Sequence, residues 1–457
     1  MNSTSYPKLI LEGPIYLMLI KLGGPNLISV LLMTSVTFAD AYYVGKIGTT
    51  ALASLALVFP LQSLMQMMGM GAIGGGIASS VSRAVGRNDA EAANALVWHA
   101  VLLSVFMSSI YVIVLGVFPY QIFSLVGAPE ESIAGAVLYS RIIFGTSTFL
   151  WLYFVFSSVL RGLGSIQLVS LVLIFTSLVQ IILSGMFTIG VWQMPRFGMS
   201  GPAMATVISQ GLAGIFMFLY IRYCRTDITF RPHRFKLKTL LDILRVGGPS
   251  SLNSVTIVST TIIATSLVSG YGSEALAGYG IGNRLEFMLI PLAFGIGGVS
   301  TVAVGINFGA QKYNRARRIA WAGAIVTTIV SGLIGLVVAL EPTLWLNLFT
   351  ANQEALSLGA KYLMIVGPFY GFFCGGQTLY FASMGTGNMV RPVAAGCFRL
   401  AIVSIIGYLC IKSNLDLSVL FWGIAIGMSI IGVILTWHMF CKTWNPEKQG
   451  RIKTSSY

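Results

Sequence analysis

The feature that most constrains this chain is a succession of uninterrupted apolar runs, separated by short segments rich in Gly, Pro or basic residues. At 1.5 Å of rise per residue, about 20 apolar residues cross the ~30 Å hydrocarbon layer of a membrane. Runs this long exclude a membrane barrel, whose strands alternate apolar and polar positions over about ten residues. They also exclude a soluble fold, since 9% of the 457 residues are charged and 56% hydrophobic, against roughly 25% charged in a soluble domain. The sequence therefore predicts an all-α polytopic membrane protein with twelve transmembrane helices.

The expected spans fall near 15–44, 51–82, 92–118, 132–159, 165–191 and 199–222, then near 245–269, 275–306, 318–347, 355–382, 391–413 and 417–441. This gives an amino-terminal six-helix lobe over 1–222, a basic linker over 223–244, a carboxy-terminal six-helix lobe over 245–441 and a tail over 442–457. No loop has room for a soluble domain.

The 28 Lys and Arg against 14 Asp and Glu leave a net charge of +14, which raises the question of nucleic acid. Position argues otherwise. The cations cluster in alternate loops, at Arg83 and Arg87, from Arg222 to Arg245, from Lys312 to Arg318 and from Lys442 to Lys453. That is the pattern of cytoplasmic loops facing anionic lipid, and it places both termini in the cytoplasm if the span count is even. The loops around Ala128–Glu131 and Ala351–Glu354 are poor in cations, as the opposite side requires. The expected location is a plasma membrane, the inner one in a bacterium, with membrane lipid as a partner and no nucleic acid. The first span is expected to act as an uncleaved targeting signal.

An internal repeat organises the chain. GGP at Gly23–Pro25 recurs at Gly247–Pro249, and at the same offset Gly48, Ala51, Leu52 and Ala53 face Gly272, Ala275, Leu276 and Ala277. Gly71 and Gly74 face Gly295 and Gly298 likewise. One residue shorter, the offset carries Gly86 onto Gly309, Pro119 onto Pro342, Glu131 onto Glu354, Tyr139 onto Tyr362, and Gly162 with Gly164 onto Gly385 with Gly387. Six spans per half give both halves the same orientation, the parallel-repeat design of carriers that bind near mid-membrane and rock to alternate access.

Ionisable residues inside spans are costly and become functional candidates. Asp40 lies deep in the first span, where a carboxylate in low dielectric can change its affinity for a proton or sodium ion as water enters or leaves. The alternative is a solvated, capping Asp. Pro25 in the same span removes a backbone hydrogen bond and permits a kink, so ion binding at Asp40 can be read out as bending there. Glu286, with Asn283 and Arg284 nearby, is a candidate for the substrate cavity, and an ion pair between helices is its alternative. Arg284 and Glu286 are two positions apart and lie on different helix faces. Arg399 reads as structural or as snorkelling to an interface. His99, His233 and His438 are scattered, and Cys224, Cys374, Cys397, Cys410 and Cys441 have no metal spacing, so no metal site is expected. Met65, Met67, Met68 and Met70 read as packing before they read as an adaptable pocket. GxxxxGK[ST], HExxH and CxxC do not occur, so no enzyme activity and no ATPase are expected, and coupling falls to an ion gradient.

The residues resemble the multidrug and toxic compound extrusion family, MATE, over nearly the whole chain. The resemblance rests on the repeated GGP, on Asp40 followed by VGKIGTTALA, on GRNDAEAA after Gly86 with its partner GAQKYNRA after Gly309, and on LRGLG at Leu160–Gly164. It implies two six-helix lobes, a V-shaped central cavity, and export of organic cations or other amphiphiles in exchange for protons or sodium. Asp40 matches the coupling acid of the first helix. The seventh-helix Glu of the NorM-like branch would fall near Ile257 and is absent, so the chain is more similar to the DinF-like branch, which YGIGNRLEF also fits. The family's fifth-helix Asn and Asp appear here as Gln180 and Ser184, which with Thr206 are expected to hydrogen-bond a protonated Asp40.

The expected function is cation-coupled antiport of organic cations or amphiphiles by alternating access, with no cofactor beyond the coupling ion and with one chain sufficing. The alternatives are a lipid-linked oligosaccharide flippase, against which the sparse intramembrane cations Arg284 and Arg399 argue, and a membrane scaffold, which has no need of buried acids.

Overall fold

The computed structural model describes residues 5–125, 129–190, 195–225, 233–350, 352–413 and 415–444. The expected linker and the expected tail thus lie partly outside the described residues, and Ala128 and Ala351 lie outside them. Helices dominate. α1 (Ser5–Glu12) precedes α2 (Ile15–Gly45), α3 (Thr49–Gly86), α4 (Ala90–Val117), α5 (Pro119–Leu125), α6 (Glu130–Gly145), α7 (Ser147–Gly162), α8 (Ile166–Gly190) and α9 (Ser200–Cys224). Then follow α10 (Leu237–Ser269), α11 (Ser273–Gly309), α12 (Tyr313–Leu340), α13 (Thr343–Leu346), α14 (Gln353–Thr386), α15 (Val390–Lys412) and α16 (Leu417–His438). Among the described residues eleven helices are long and apolar enough to cross a membrane, and α6 with α7 supplies a twelfth.

Two expectations are corrected. The span expected at 132–159 is two helices bent by 50° at Thr146. Side chains brace the break: Thr146 Oγ1 donates to the Ile142 carbonyl at 2.6 Å, and Ser147 Oγ ties it to α4 by donating to the Ser108 carbonyl at 3.2 Å. The linker expected over 223–244 also turns helical earlier, at Leu237. His99 on α4 fixes that start, its Nε2 accepting the Lys236 backbone N–H at 2.9 Å while Nδ1 faces the Ala95 carbonyl at 2.7 Å.

The chain forms two compact units. One is built on Ile28–Gly247 and the other on Leu9–Leu27 with the chain from Gly248 onward. Their limits differ from the expected 1–222 and 245–441. α2 begins in the second unit and ends in the first, α10 does the reverse, and the crossings fall just after the GGP segment of α2 and within that of α10.

The repeat is written in the backbone. Asn88 and Gln311, 223 positions apart, both adopt positive φ, at 56° and 59°, and Gly164 and Gly387 repeat the pairing at 83° and 82°. Two non-glycine residues in this sparsely populated region at equivalent turns mark the same local fold used twice. The α6–α7 break at Gly145–Ser147 likewise has its counterpart in the tight turn Gly367–Phe369 within α14.

Helices approach through small residues, since lipid supplies no hydrophobic force between them. In the first unit α7 packs on α3, α4 and α9. At Gly162 a Cβ would meet Val81 Cβ at 2.8 Å and the Ala78 carbonyl at 2.9 Å. In the second unit α14 packs on α11, α12 and α16, and a Cβ on Gly376 would stand 2.9 Å from Gly432 Cα.

Candidate functional site

In the first unit, polar side chains link Asp40 on α2 to α8, and α8 in turn to α9. The Asp40 residue is 7% exposed. Ser184 Oγ on α8 donates to Asp40 Oδ1 at 2.5 Å. The helices come close here because Gly185 has no side chain: a Cβ there would stand 2.9 Å from the Tyr43 ring. One turn earlier on α8, Gln180 Nε2 donates to Thr206 Oγ1 at 2.7 Å, and Thr206 Oγ1 donates to the Pro202 carbonyl at 2.9 Å. Of the sequence-selected set, Ser184 thus meets Asp40 directly, while Gln180 and Thr206 bond each other.

Sequence reasoning missed three members of this neighbourhood. Gln210 Nε2 donates to Gln180 Oε1 at 3.5 Å, and Gln210 Oε1 is buried with no hydrogen-bond partner among the described residues. Tyr139 donates to Gln62 Oε1 at 3.1 Å. A signal existed for Gln210, which follows Thr206 by one helical turn on an otherwise apolar span. Asp40 makes no ion pair among the described residues. An isolated carboxylate in low dielectric is expensive, and the cost falls when it takes a proton or a metal cation. The Ser184 hydroxyl beside it can accommodate either.

In the second unit Glu286 on α11 is buried against Arg399 on α15, with Nη2 3.1 Å from Oε1. The Arg399 guanidinium also lies 4.8 Å from the centre of the Phe373 ring. Arg399 therefore does not snorkel, and Glu286 holds the ion pair that the sequence left as its alternative role. Asn283 is half-buried and Arg284 exposed, with the Arg284 guanidinium 5.4 Å from the Phe349 ring centre. Neither joins the Glu286 pair. Tyr279 and Tyr362 pack edge to face beside it, and the Tyr362 and Tyr370 hydroxyls are buried next to them.

Pro25 lies inside α2 and Pro249 inside α10. Asn26, next to Pro25, donates to the Gly295 carbonyl at 2.7 Å, a contact that the sequence did not announce. At the end of α3, Arg83 bonds Asp242 at 2.9 Å and Ser80 at 3.1 Å, and also reaches Ser79. This ties the start of α10 to the first unit.

Known proteins share this frame. The probable multidrug resistance protein YoeA of Bacillus subtilis is 26% identical over 382 residues, 82% of each chain. The probable multidrug resistance protein NorM of Thermotoga maritima is 25% identical over 384 residues, 82% of this chain and 81% of that protein. The crystal structure of MATE in complex with MaD3S superposes with a TM-score of 0.89 at 22% identity, over 98% of this chain and all of that one, a likeness of fold. The family model MatE matches twice, over 25–186 and 249–409, its two copies starting at the prolines of the two GGP segments. The chain belongs to the MatE family of membrane transporters.

Proposed function

We infer that this chain is a secondary active multidrug exporter, moving organic cations or other amphiphiles out across a plasma membrane in exchange for a proton or sodium ion. The observation that carries the reading is the buried Asp40 carboxylate, bonded to Ser184 and lacking an ion-pair partner among the described residues. Such a group favours whichever conformation lets it bind a cation, and a difference in ion affinity between two conformations is what drives one into the other. Pro25, in the same helix, supplies the position at which ion occupancy becomes helix geometry. With the ion absent, α2 is straight and the protein takes substrate; with the ion bound, α2 bends and substrate leaves. The names of the multidrug relatives support the substrate class.

Residue 257 is Ile, so the acid of the NorM-like branch is missing. This supports coupling in the amino-terminal half and a DinF-like assignment. Glu286 is held by Arg399 as a fixed pair. Both termini are cytoplasmic, on the charge pattern of the loops, and the working unit is one chain.

The test is substrate-stimulated release of protons, or displacement of sodium, from purified protein. Wild type releases the ion when an organic cation such as ethidium is added, and Asp40→Asn does not. Release unchanged in Asp40→Asn would refute Asp40 as the coupling site.

A further inference from the structure

The first residues of α12 carry a charge arrangement that export does not explain. Lys312, Arg315, Arg317 and Arg318 stand within the opening turns of a 28-residue helix. Cations there face the positive end of the helix dipole and are disfavoured. The internal repeat supplies a control. At the equivalent start of α4 the corresponding residues are Asp89, Ala92, Asn94 and Ala95, while Trp98 keeps the place of Trp321. The fold builds this corner without the cations, and membrane topology would be served equally by cations elsewhere in the loop.

The cations surround two cavities of about 340 Å³ and 510 Å³ that share Ile15, Asn314 and Arg318 as lining. Arg315 is engaged, donating to the Ile10 and Gly13 carbonyls at 3.0 and 2.5 Å, and Glu12 is the carboxylate acting on it. Arg317 lies over the Phe440 ring at 5.2 Å. The Arg318 side chain makes no hydrogen bond or ion pair among the described residues. Tyr16, Trp321 and Ile325 complete the larger cavity. One turn deeper on the same two helices, Ile20 and Ile329 are 70% and 55% exposed. Cationic head above, aromatic rim between and apolar surface below is the sequence of chemistries met in a lipid from phosphate to acyl chain.

We propose that this cavity binds the phosphate headgroup of an anionic phospholipid from the cytoplasmic leaflet. Arg317 and Arg318 hold the phosphate, Asn314 donates to it, and Tyr16 and Trp321 flank the glycerol region. The site lies wholly in the second unit and is separate from Asp40.

The test uses the full-length protein in phosphatidylcholine nanodiscs with and without phosphatidylglycerol, counting retained lipid by native mass spectrometry. Each cation near an anionic surface contributes a factor of about five, so Arg317→Gln with Arg318→Gln weakens phosphatidylglycerol retention roughly 25-fold. Arg87→Gln with Lys238→Gln removes equal charge from other basic loops and leaves retention unchanged. Arg318→Gln alone, whose side chain makes no polar contact, loses about fivefold and keeps the test open if the double variant does not fold. Equal loss in both double variants, or equal retention of phosphatidylcholine and phosphatidylglycerol, would overturn the proposal. Displacement of phosphatidylglycerol by inorganic phosphate at comparable concentration would assign the cavity to a free anion and overturn the lipid assignment.

Discussion

Ser184 donates a 2.5 Å hydrogen bond to Asp40 across 144 positions of sequence, joining α8 to α2 in the interior of the first unit. The family resemblance places a second acid at position 184, so this chain has a neutral donor where two carboxylates would otherwise share the site. Two carboxylates at hydrogen-bond distance cannot both remain charged, and one takes up a cation. Ser184→Asp is therefore expected to raise the number of ions exchanged per substrate, read as protons or sodium released per ethidium bound. An unchanged ratio would mean that position 184 lies outside the coupling step.

Glu286 and Arg399 form a buried pair, and removing one partner of such a pair leaves an uncompensated charge that costs about 3–5 kcal/mol. Glu286→Gln and Arg399→Met are each expected to lower Tm sharply in detergent, while the double variant recovers most of the loss. Additive losses in the double variant would show that the two side chains are not coupled.

Gly76 lies against the start of α10, where an added Cβ would stand 2.7 Å from the Ile243 carbonyl and 2.8 Å from the Gly247 nitrogen. Gly76→Ala is expected to destabilise by about 1–3 kcal/mol through overpacking. Gly280 has nothing within 4 Å, so Gly280→Ala gains up to about 1 kcal/mol from helix propensity. Thermal unfolding of the two variants side by side checks the contrast.

Asp416 caps α16 by accepting the Ser418 N–H at 3.1 Å, and its hydrogen bonds with Ser418 hold the carboxyl below its ordinary range. A lowered value means that the cap contributes fully above the usual carboxylate pKa and is lost as pH falls through the lowered one. Asp416→Ala is expected to cost about 1 kcal/mol near neutral pH. The gap in Tm from wild type should close in strong acid, and a gap constant with pH would contradict the assignment.

What the sequence made legible follows from which interactions are local. The spans could be read because hydropathy acts along the chain, and the duplication because its glycines and prolines recur at nearly fixed spacing. The α6–α7 bend was hidden, since Gly145–Thr148 is too short a break between apolar stretches to end a span by itself, and Ser108, which the break contacts, lies on another helix. The start of α10 was hidden for the same reason, being fixed by His99 from 137 positions away. At the site, the cost of a buried charge singled out Asp40, whereas the choice of Arg399 over Arg284 as the partner of Glu286 is a matter of tertiary packing that spacing cannot convey.

The most direct measurement of the central claim is ethidium efflux from proteoliposomes under imposed proton or sodium gradients, comparing wild type with Asp40→Asn and Glu286→Gln. One of the two gradients is expected to drive efflux in wild type, Asp40→Asn to abolish the gradient-driven component, and Glu286→Gln, corrected for the amount of folded protein, to retain it. Gradient-driven efflux persisting undiminished in Asp40→Asn would contradict that claim.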